Sequence, residues 1–450
     1  MKAIPVYLLS LGCPKNLVDA EVMSATLSEG GFRITPREKD AVVVIVNTCA
    51  FIRPAREESV HEILRLADLK REGKCRHLIV TGCLPQRYGR ALPPELPEVD
   101  LFLGPEEVPR ITGHLNALLS QPAPKRRVYA PRPLFLMTAE HPRHLSTPPH
   151  TAYLKIADGC SNRCAYCVIP SIRGRFRSRP MEDILREAGS LADRGVKEVV
   201  LVAQDTTSYG RDLKEKPNLS GLLTRLAGFK GFCWIRVLYT YPANLTADLL
   251  ETIAREDRIC KYLDVPVQHI DDEILAAMNR RGDSKLLREK IQLARVIVPG
   301  IALRTSLIVG FPGETRGKFE KLLRFVEEMR FEHLGVFTYS KEEGTGAFDY
   351  PSRITEKLKK ARRDTLMKMQ ASISAEINRS RVGTISDVLI EGRSENKSFP
   401  FIGRTSGQAP DIDGVTFVRA RGARAGEMLS CRIVSADVYD LFTKRISGKP

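Results

Sequence analysis

Apolar runs of strand length recur along this chain, separated by stretches with helical, amphipathic periodicity. Over residues 1–120 the runs are YLLSLGC (7–13), AVVVIVNTC (41–49), HLIVTGC (77–83) and VDLFLG (99–104), with helical patterns over 16–30 and 54–73. Continuous apolar runs alternating with amphipathic helices are the pattern of a parallel sheet buried on both faces. The stretch therefore predicts a small N-terminal doubly wound parallel sheet. Between 121 and 150 the periodicity stops. That segment holds seven prolines and three histidines and reads as a Pro-rich linker.

From 151 to 345 the alternation resumes in YLKIADG, EVVLVAQD, IRVLYTY, YLDVPVQH, LRTSLIVGF and HLGVFTYS, with helical patterns that include 181–194, 246–257, 271–280 and 315–330. Six such units are too few for a closed eight-unit barrel. They predict an open, partial (β/α)6 barrel with its site at the C-terminal ends of the strands. A charged helix over 354–380 ends this region. The last segment, 381–450, is rich in Val, Ile, Thr and Gly and predicts a small all-β barrel of about five strands. The fold class is thus α/β multidomain, with boundaries at 1–120, 121–150, 151–380 and 381–450.

Of the 450 residues, 43% are hydrophobic and 28% charged, the balance of a globular chain, and no apolar run approaches the ~20 residues that span a bilayer. The N-terminal MKAIPVYLLSLGC runs straight into GCPKN without a small-residue cleavage site, so it reads as a strand and not a leader, and a cytoplasmic location is expected. A formal charge of +16 favours an anionic partner such as RNA, a ribonucleoprotein or a small anionic cofactor, although solubility alone also accounts for it.

Ten cysteines in a reducing compartment are ligands, catalysts or core residues before they are disulfides. Cys160, Cys164 and Cys167 form CSNRCAYC on one loop after the first strand of the second domain, with no fourth cysteine nearby. Zinc with a distant fourth ligand, His150 or His269, is a rival reading, as is simple packing. Cys13, Cys49 and Cys83 each end an apolar strand of the first domain. In an open parallel sheet those ends share one edge, which makes a second three-cysteine site, or three small buried residues. Cys75, Cys233, Cys260 and Cys431 follow no such pattern and read as structural. In SIRGRFRSRP, Arg173, Arg175, Arg177 and Arg179 lie two apart and would share one face of an extended chain, to grip a carboxylate or phosphate or to guard a sheet edge.

The spacing CxxxCxxC on a loop at the mouth of a partial barrel resembles the radical S-adenosylmethionine superfamily. The resemblance implies that Cys160, Cys164 and Cys167 hold a 4Fe-4S cluster whose open iron chelates S-adenosylmethionine, the source of a deoxyadenosyl radical. It also implies that Tyr166 packs near the adenine, and that SLIVGFPGE (306–314), with Gly310, brings backbone to the adenosine. Gln204 with Asp205, Arg236, and Gln268 with His269 stand at other strand ends as candidate cofactor or substrate contacts, or as polar caps.

Two three-cysteine sites followed by a small β-barrel resemble the methylthiotransferase family along essentially the whole chain. That resemblance implies a second 4Fe-4S cluster on Cys13, Cys49 and Cys83 that carries sulfur, two molecules of S-adenosylmethionine per turnover, and an external electron donor and sulfur source. One branch of the family modifies an adenosine beside the tRNA anticodon. The other modifies the β-carbon of an aspartate on a small-subunit ribosomal protein at the decoding centre. SLGCPKNLVDAE (10–21), LDVPVQHIDDEIL (263–275), GVFTYSKEEGT (335–345) and GRTSGQAPDIDG (403–414) are similar to the ribosomal branch. The tRNA branch typically reads Gln-Met in place of Pro14-Lys15 and Gln-Ser-Gly in place of Gln268-His269-Ile270. Ala20 departs from the serine usual in the ribosomal branch, and no ligand is lost.

The final barrel resembles the TRAM module, often an RNA binder. Its 11 Lys and Arg against 8 Asp and Glu over 381–450 do not make a concentrated basic surface, and APDIDG presents two carboxylates, which suits a basic ribosomal protein better than tRNA. The alternatives are methylthiolation of a tRNA adenosine, or an iron-sulfur RNA-binding or redox-sensing protein without turnover.

Overall fold

A computed structural model describes residues 3–120 and 127–446. The first sheet is parallel throughout, in the order Arg33–Ile34, Pro5–Ser10, Val43–Thr48, His77–Gly82, Leu101–Leu103, Val128–Tyr129. Alternate side chains of a strand point to opposite faces, and here both faces are covered. Val43 and Ile45 join Val6, Val18, Met23 and Leu115 in one core, while Val44 and Val46 join Ile63, Leu66 and Leu84 in the other. The sheet is doubly wound, as its apolar runs predict. Its order reverses between Pro5–Ser10 and Val43–Thr48, the kind of switch point where such sheets leave a crevice beyond the strand ends.

The proline-rich stretch does more than link. Val128–Tyr129 adds the sixth strand, opposite Phe102 and Leu103. Beyond it Glu106 accepts the N–H groups of Leu134 and Phe135 at 2.6 and 2.5 Å. Arg143, almost fully buried, donates to Glu21 of the first domain at 2.6 Å and to Glu187 of the second at 2.7 Å. The segment is a strap tied to both domains, which no local periodicity could reveal.

The central sheet is open, parallel and six-stranded, in the order His333–Thr338, Ala302–Val309, Ile259–Asp264, Trp234–Val237, Glu198–Val202, Thr151–Lys155. Leu154, Leu201, Ile235 and Leu303 face the outer helices. Among these is Met181–Asp193, which buries Ile184, Leu185, Ala188 and Leu191 at helical spacing. Tyr153, Val200, Trp234 and Tyr262 face inward, where they meet Val18 and Met23 of the helix Pro14–Glu29 and Leu389 and Ala409 of the C-terminal region. At about 1.5–3 kcal/mol for each large apolar side chain fully buried, this shared core joins all three domains.

Thr355 caps the helix Glu356–Ser380, accepting from the Leu358 N–H at 3.3 Å. The helix leads to a closed five-stranded barrel ordered Ile385–Arg393, Phe401–Thr405, Thr416–Arg419, Leu441–Arg445, Met428–Ala436. Closure leaves no sheet edge exposed. The barrel plugs the lower end of the central lumen. Arg404 pairs with Glu198 at 2.5 Å, Arg304 with Asp413 at 2.7 Å, and the Tyr262 hydroxyl donates to Asp413 at 2.8 Å. Asp411 accepts from the Tyr153 hydroxyl at 3.3 Å. Asp413 of APDIDG is therefore engaged inside the molecule with a fully buried side chain, while Asp411 stays exposed, so the expectation that both carboxylates greet a basic partner is corrected for Asp413. Cys75, Cys260 and Cys431 are buried and Cys233 half-buried.

Candidate functional site

The loop after Ala157–Asp158 is anchored on both sides, so that its thiols have fixed places. The Cys160 N–H donates to Gly174 O at 3.1 Å, the Ala165 N–H to Met278 O at 2.8 Å, and Ala165 O accepts from the Ala347 N–H at 2.7 Å. Gly159, at φ +79°, lets the chain pass so close that a Cβ would stand 2.2 Å from Arg175 O. Arg280 approaches Cys164 Sγ at 3.9 Å and donates to the Tyr166 hydroxyl at 3.3 Å. A cavity of about 480 Å³ borders Cys160 and is lined also by Asn162, Asp205, Arg211, Tyr241 and Arg281.

The second trio sits at the switch point of the first sheet. Cys13 is the N-cap of Pro14–Glu29, Cys49 follows Val43–Thr48, and Cys83 opens the short helix Cys83–Tyr88 after His77–Gly82. Neutral side chains knit the three loops. Asn16 Nδ2 donates to Leu11 O and Thr48 O at 2.7 and 3.2 Å, Asn47 Nδ2 to Asn16 O at 2.7 Å, and Thr48 Oγ1 to Thr81 O at 2.7 Å. Gly12, at φ +90°, brings the Cys13 loop against Cys49. A Cβ on it would lie 2.6 Å from Cys49 Cβ and 3.1 Å from its sulfur.

A buried polar network joins the two trios. Asp19 accepts from Lys155 and from Arg173, each at 2.5 Å. Arg173 also donates to Asn16 Oδ1 at 2.9 Å and to Cys83 Sγ at 3.6 Å. Asp158, two residues before Cys160, accepts from Lys155 at 3.2 Å and from Gln204 Nε2 at 2.9 Å. Burial opposes ionisation of Asp158, but the charges of Lys155 and Arg173 outweigh it and hold its carboxyl below the usual range. The side chain of Arg173 thus reaches one trio while the next peptide carbonyl, Gly174 O, holds the other.

Both trios suit a cluster of several irons. Cys49 feels Cys83 and Cys13, and Cys167 feels Cys164 and Cys160; burial leads in pushing the Cys49 and Cys167 thiols up to about 12. Three neighbouring thiols, one buried and two half-buried in each trio, that disfavour one another's charge are a poor arrangement until cations neutralise them, which iron does. Among the described residues no three His, Cys, Asp or Glu side chains stand close enough to share a single metal ion. A multi-iron cluster spreads its thiolates wider than one ion does. The zinc alternative loses its fourth ligands. His150 precedes the strand Thr151–Lys155 and so lies at the end remote from Cys160, and His269 is fully buried between the Asp271 N–H at 3.0 Å and Glu314 at 3.7 Å.

Some expected contacts lie elsewhere. Arg236, with no exposed surface, donates to Glu198 at 2.8 Å and Ser406 O at 2.8 Å at the plugged end of the lumen, so it braces the barrel and stands away from the strand ends. At Gly310 the close neighbour is Lys359, whose Cγ would be 2.3 Å from a Cβ, and the Gly310 N–H goes to Glu314 at 2.7 Å. The four arginines of SIRGRFRSRP share no face. Arg173 and Arg179 are buried in ion pairs, Arg179 with Asp183 at 2.7 Å, while Arg175 is exposed and Arg177 half-buried. The helix Ile169–Arg173 and the turn at Gly174 break the extended spacing. Asp19, Lys155 and Asp158 escaped the sequence reading. The one signal available was a lysine inside the otherwise apolar strand TAYLK.

A partial barrel carrying three cysteines on its first loop, beside a second cysteine trio, defines a radical S-adenosylmethionine enzyme. Residues 154–326 match the Radical SAM superfamily, residues 5–104 the Uncharacterized protein family UPF0004, and residues 382–446 the TRAM domain. Among solved structures, the fold is similar to the radical S-adenosylmethionine methyltransferase TsrM from Kitasatospora setae. The TM-score is 0.54 at 16% identity, over 77% of each chain. Among curated proteins, the chain is 60% identical to the ribosomal protein uS12 methylthiotransferase RimO of Syntrophus aciditrophicus (strain SB), over 100% of both chains. It is 51% identical to that of Geobacter sulfurreducens over 98% of both. The chain belongs to the ribosomal protein uS12 methylthiotransferase RimO family.

Proposed function

We propose that the chain adds a methylthio group to the β-carbon of an aspartate on ribosomal protein uS12 of the small subunit, at the decoding centre. One observation carries the reading: Arg173 and Gly174, adjacent in sequence, touch Cys83 and Cys160 respectively, so the two trios stand on opposite sides of one peptide. Cys160, Cys164 and Cys167 hold one 4Fe-4S cluster and Cys13, Cys49 and Cys83 a second. When bound, the first with S-adenosylmethionine supplies a carbon radical and the second supplies methylated sulfur.

This division of labour suits the target. A carbon next to a carboxylate carries no proton that a base of ordinary pKa removes, so hydrogen abstraction is the accessible route. The chain's own contribution is to hold two cofactors facing one substrate and to keep water from the reactive carbon. Tyr166 and Gln204, beside Cys164 and Asp158, are the expected contacts that remain near the cofactor. The electron and the inserted sulfur come from external donors in a reducing, cytoplasmic setting. No helix among the described residues is long and apolar enough to cross a membrane.

Mass spectrometry of ribosomal proteins and tRNA nucleosides, from cells with and without the gene, tests the reading. Loss of a methylthio increment from a uS12 peptide supports it. Loss from an anticodon-loop adenosine, with uS12 unchanged, refutes it. The tRNA reading is set aside because the relatives above are named for uS12.

A further inference from the structure

The buried cations of the lumen are nearly all spoken for. Lys155 and Arg173 face Asp19 and Asp158, Arg236 and Arg404 face Glu198, and Arg304 faces Asp413. Lys15 differs. It lies in the first turn of Pro14–Glu29, two residues after Cys13, and is only 7% exposed. Among the described residues no carboxylate stands within 4 Å of its ammonium and no hydrogen bond uses it. Its ammonium sits over the ring of Tyr239, whose centroid is 3.4 Å from Nζ.

Tyr239 is held for this contact. It sits past the end of Trp234–Val237 at φ +59°, a conformation rare for a bulky side chain. Its N–H donates to Asp264 Oδ2 at 3.0 Å and its carbonyl accepts from the Thr206 N–H at 2.9 Å. An aromatic face attracts an ammonium but offsets only part of the cost of burying it, and leaves its N–H donors unused. Burial lowers the Lys15 pKa; Cys13 offsets part of that, Arg173 adds to it, and Asp158 and Asp264 oppose it from a distance without pairing. The result is a nine-tenths buried lysine without a carboxylate partner among the described residues, two residues from Cys13 and seated on a ring of the central domain.

We propose that Lys15, seated on Tyr239, receives the side-chain carboxylate of the target aspartate. The proposal rests on the uS12 reading above and names a specificity-determining residue for it. The carboxylate carbon is bonded directly to the β-carbon, so anchoring the one fixes the other between the trios. An amide or a neutral base offers the ammonium no charge, and the site therefore selects an acidic side chain.

The test uses the anaerobically purified holoenzyme, as wild type, Lys15→Met and Lys15→Arg, with purified uS12 and with uS12 whose target aspartate is replaced by asparagine. Dissociation constants are measured for both forms and KM for the first. Wild type is expected to favour the aspartate form. Lys15→Met should raise KM and the dissociation constant for uS12 by roughly 30-fold or more, erase the preference over asparagine, and keep the absorption and spin-resonance signals of both clusters. Lys15→Arg should restore part of the preference. An aspartate preference intact in Lys15→Met overturns the proposal. So does loss of the second cluster's signal with the preference retained, which would make Lys15 a partner of the cluster. Wild type that neither binds nor modifies uS12 would instead remove the substrate reading itself, and the proposal with it.

Discussion

Cys13 occupies a helix N-cap, where serine, threonine, asparagine or aspartate would satisfy a free N–H, and its side chain makes no capping bond. The position gives up stability to place a thiol. Cys13→Ser is therefore expected to raise the unfolding free energy of the metal-free chain by about 1 kcal/mol in denaturant titration, while the second trio loses its iron. Gly12→Ala should do the reverse of a helpful alanine. Its Cβ would press on Cys49 from 2.6 Å at an unfavourable φ, so iron content at this trio should fall with the first trio unaffected. Replacing Cys164 with alanine should abolish deoxyadenosine formation. Cys49→Ala should keep it and lose methylthio transfer. Continued cofactor cleavage in Cys164→Ala would contradict the assignment of the first trio.

Among the elements, the short helix Ile169–Arg173 has a role out of proportion to its length. It follows the last cysteine of the first trio and carries Arg173 across to Asp19, Asn16 and Cys83 in the other domain. A planar fork with several donors meets that set of acceptors and a single ammonium does not. Arg173→Lys should hold both clusters at rest but shed iron from the second trio faster under a chelator, read as iron released with time. The loop after His333–Thr338 has a related function. Glu342, buried, accepts from Arg56 at 2.7 Å and lies 2.9 Å from Arg87, both in the first domain, while Ala347 binds the cysteine loop. A segment that the sequence marks only as a motif, GVFTYSKEEGT, thereby clamps one domain on the other.

The molecule as a whole is closed by charge at its lower end. Glu198 is fully buried between Arg236 and Arg404, and although burial pushes its carboxyl up, the two guanidinium groups prevail and its pKa is lowered. A carboxylate with a depressed folded pKa adds stability above its unfolded value, near 4.5, and loses it as pH falls through the folded value. The thermal midpoint of the wild type should therefore drop steeply below pH 4.5, with a smaller drop in Glu198→Gln. Glu198→Ala should cost about 3–5 kcal/mol at neutral pH, since it strands the buried Arg236 and leaves Arg404 with Glu391 alone. Removing 381–450 would take Asp413 from Arg304 and Tyr262, Arg404 from Glu198, and the Ser406 carbonyl from Arg236. The truncated chain is expected to aggregate, as measured by light scattering, and not to behave as an enzyme lacking an accessory module.

Strands, helices and the placing of Cys13, Cys49 and Cys83 just past strand ends were legible in the sequence because each depends on short-range information. Buried strands need runs of apolar residues, and helices a period near 3.6. Tertiary structure alone decided the pairings of charge. Lys155 finds Asp19 across 136 residues and Arg404 finds Glu198 across 206, and such contacts leave no periodic trace. That is why SIRGRFRSRP reads as one basic face yet divides into two buried arginines and two more accessible ones, why APDIDG reads as an acidic surface yet buries Asp413 against Arg304, and why Lys15 stands out only once every neighbouring cation has found its carboxylate.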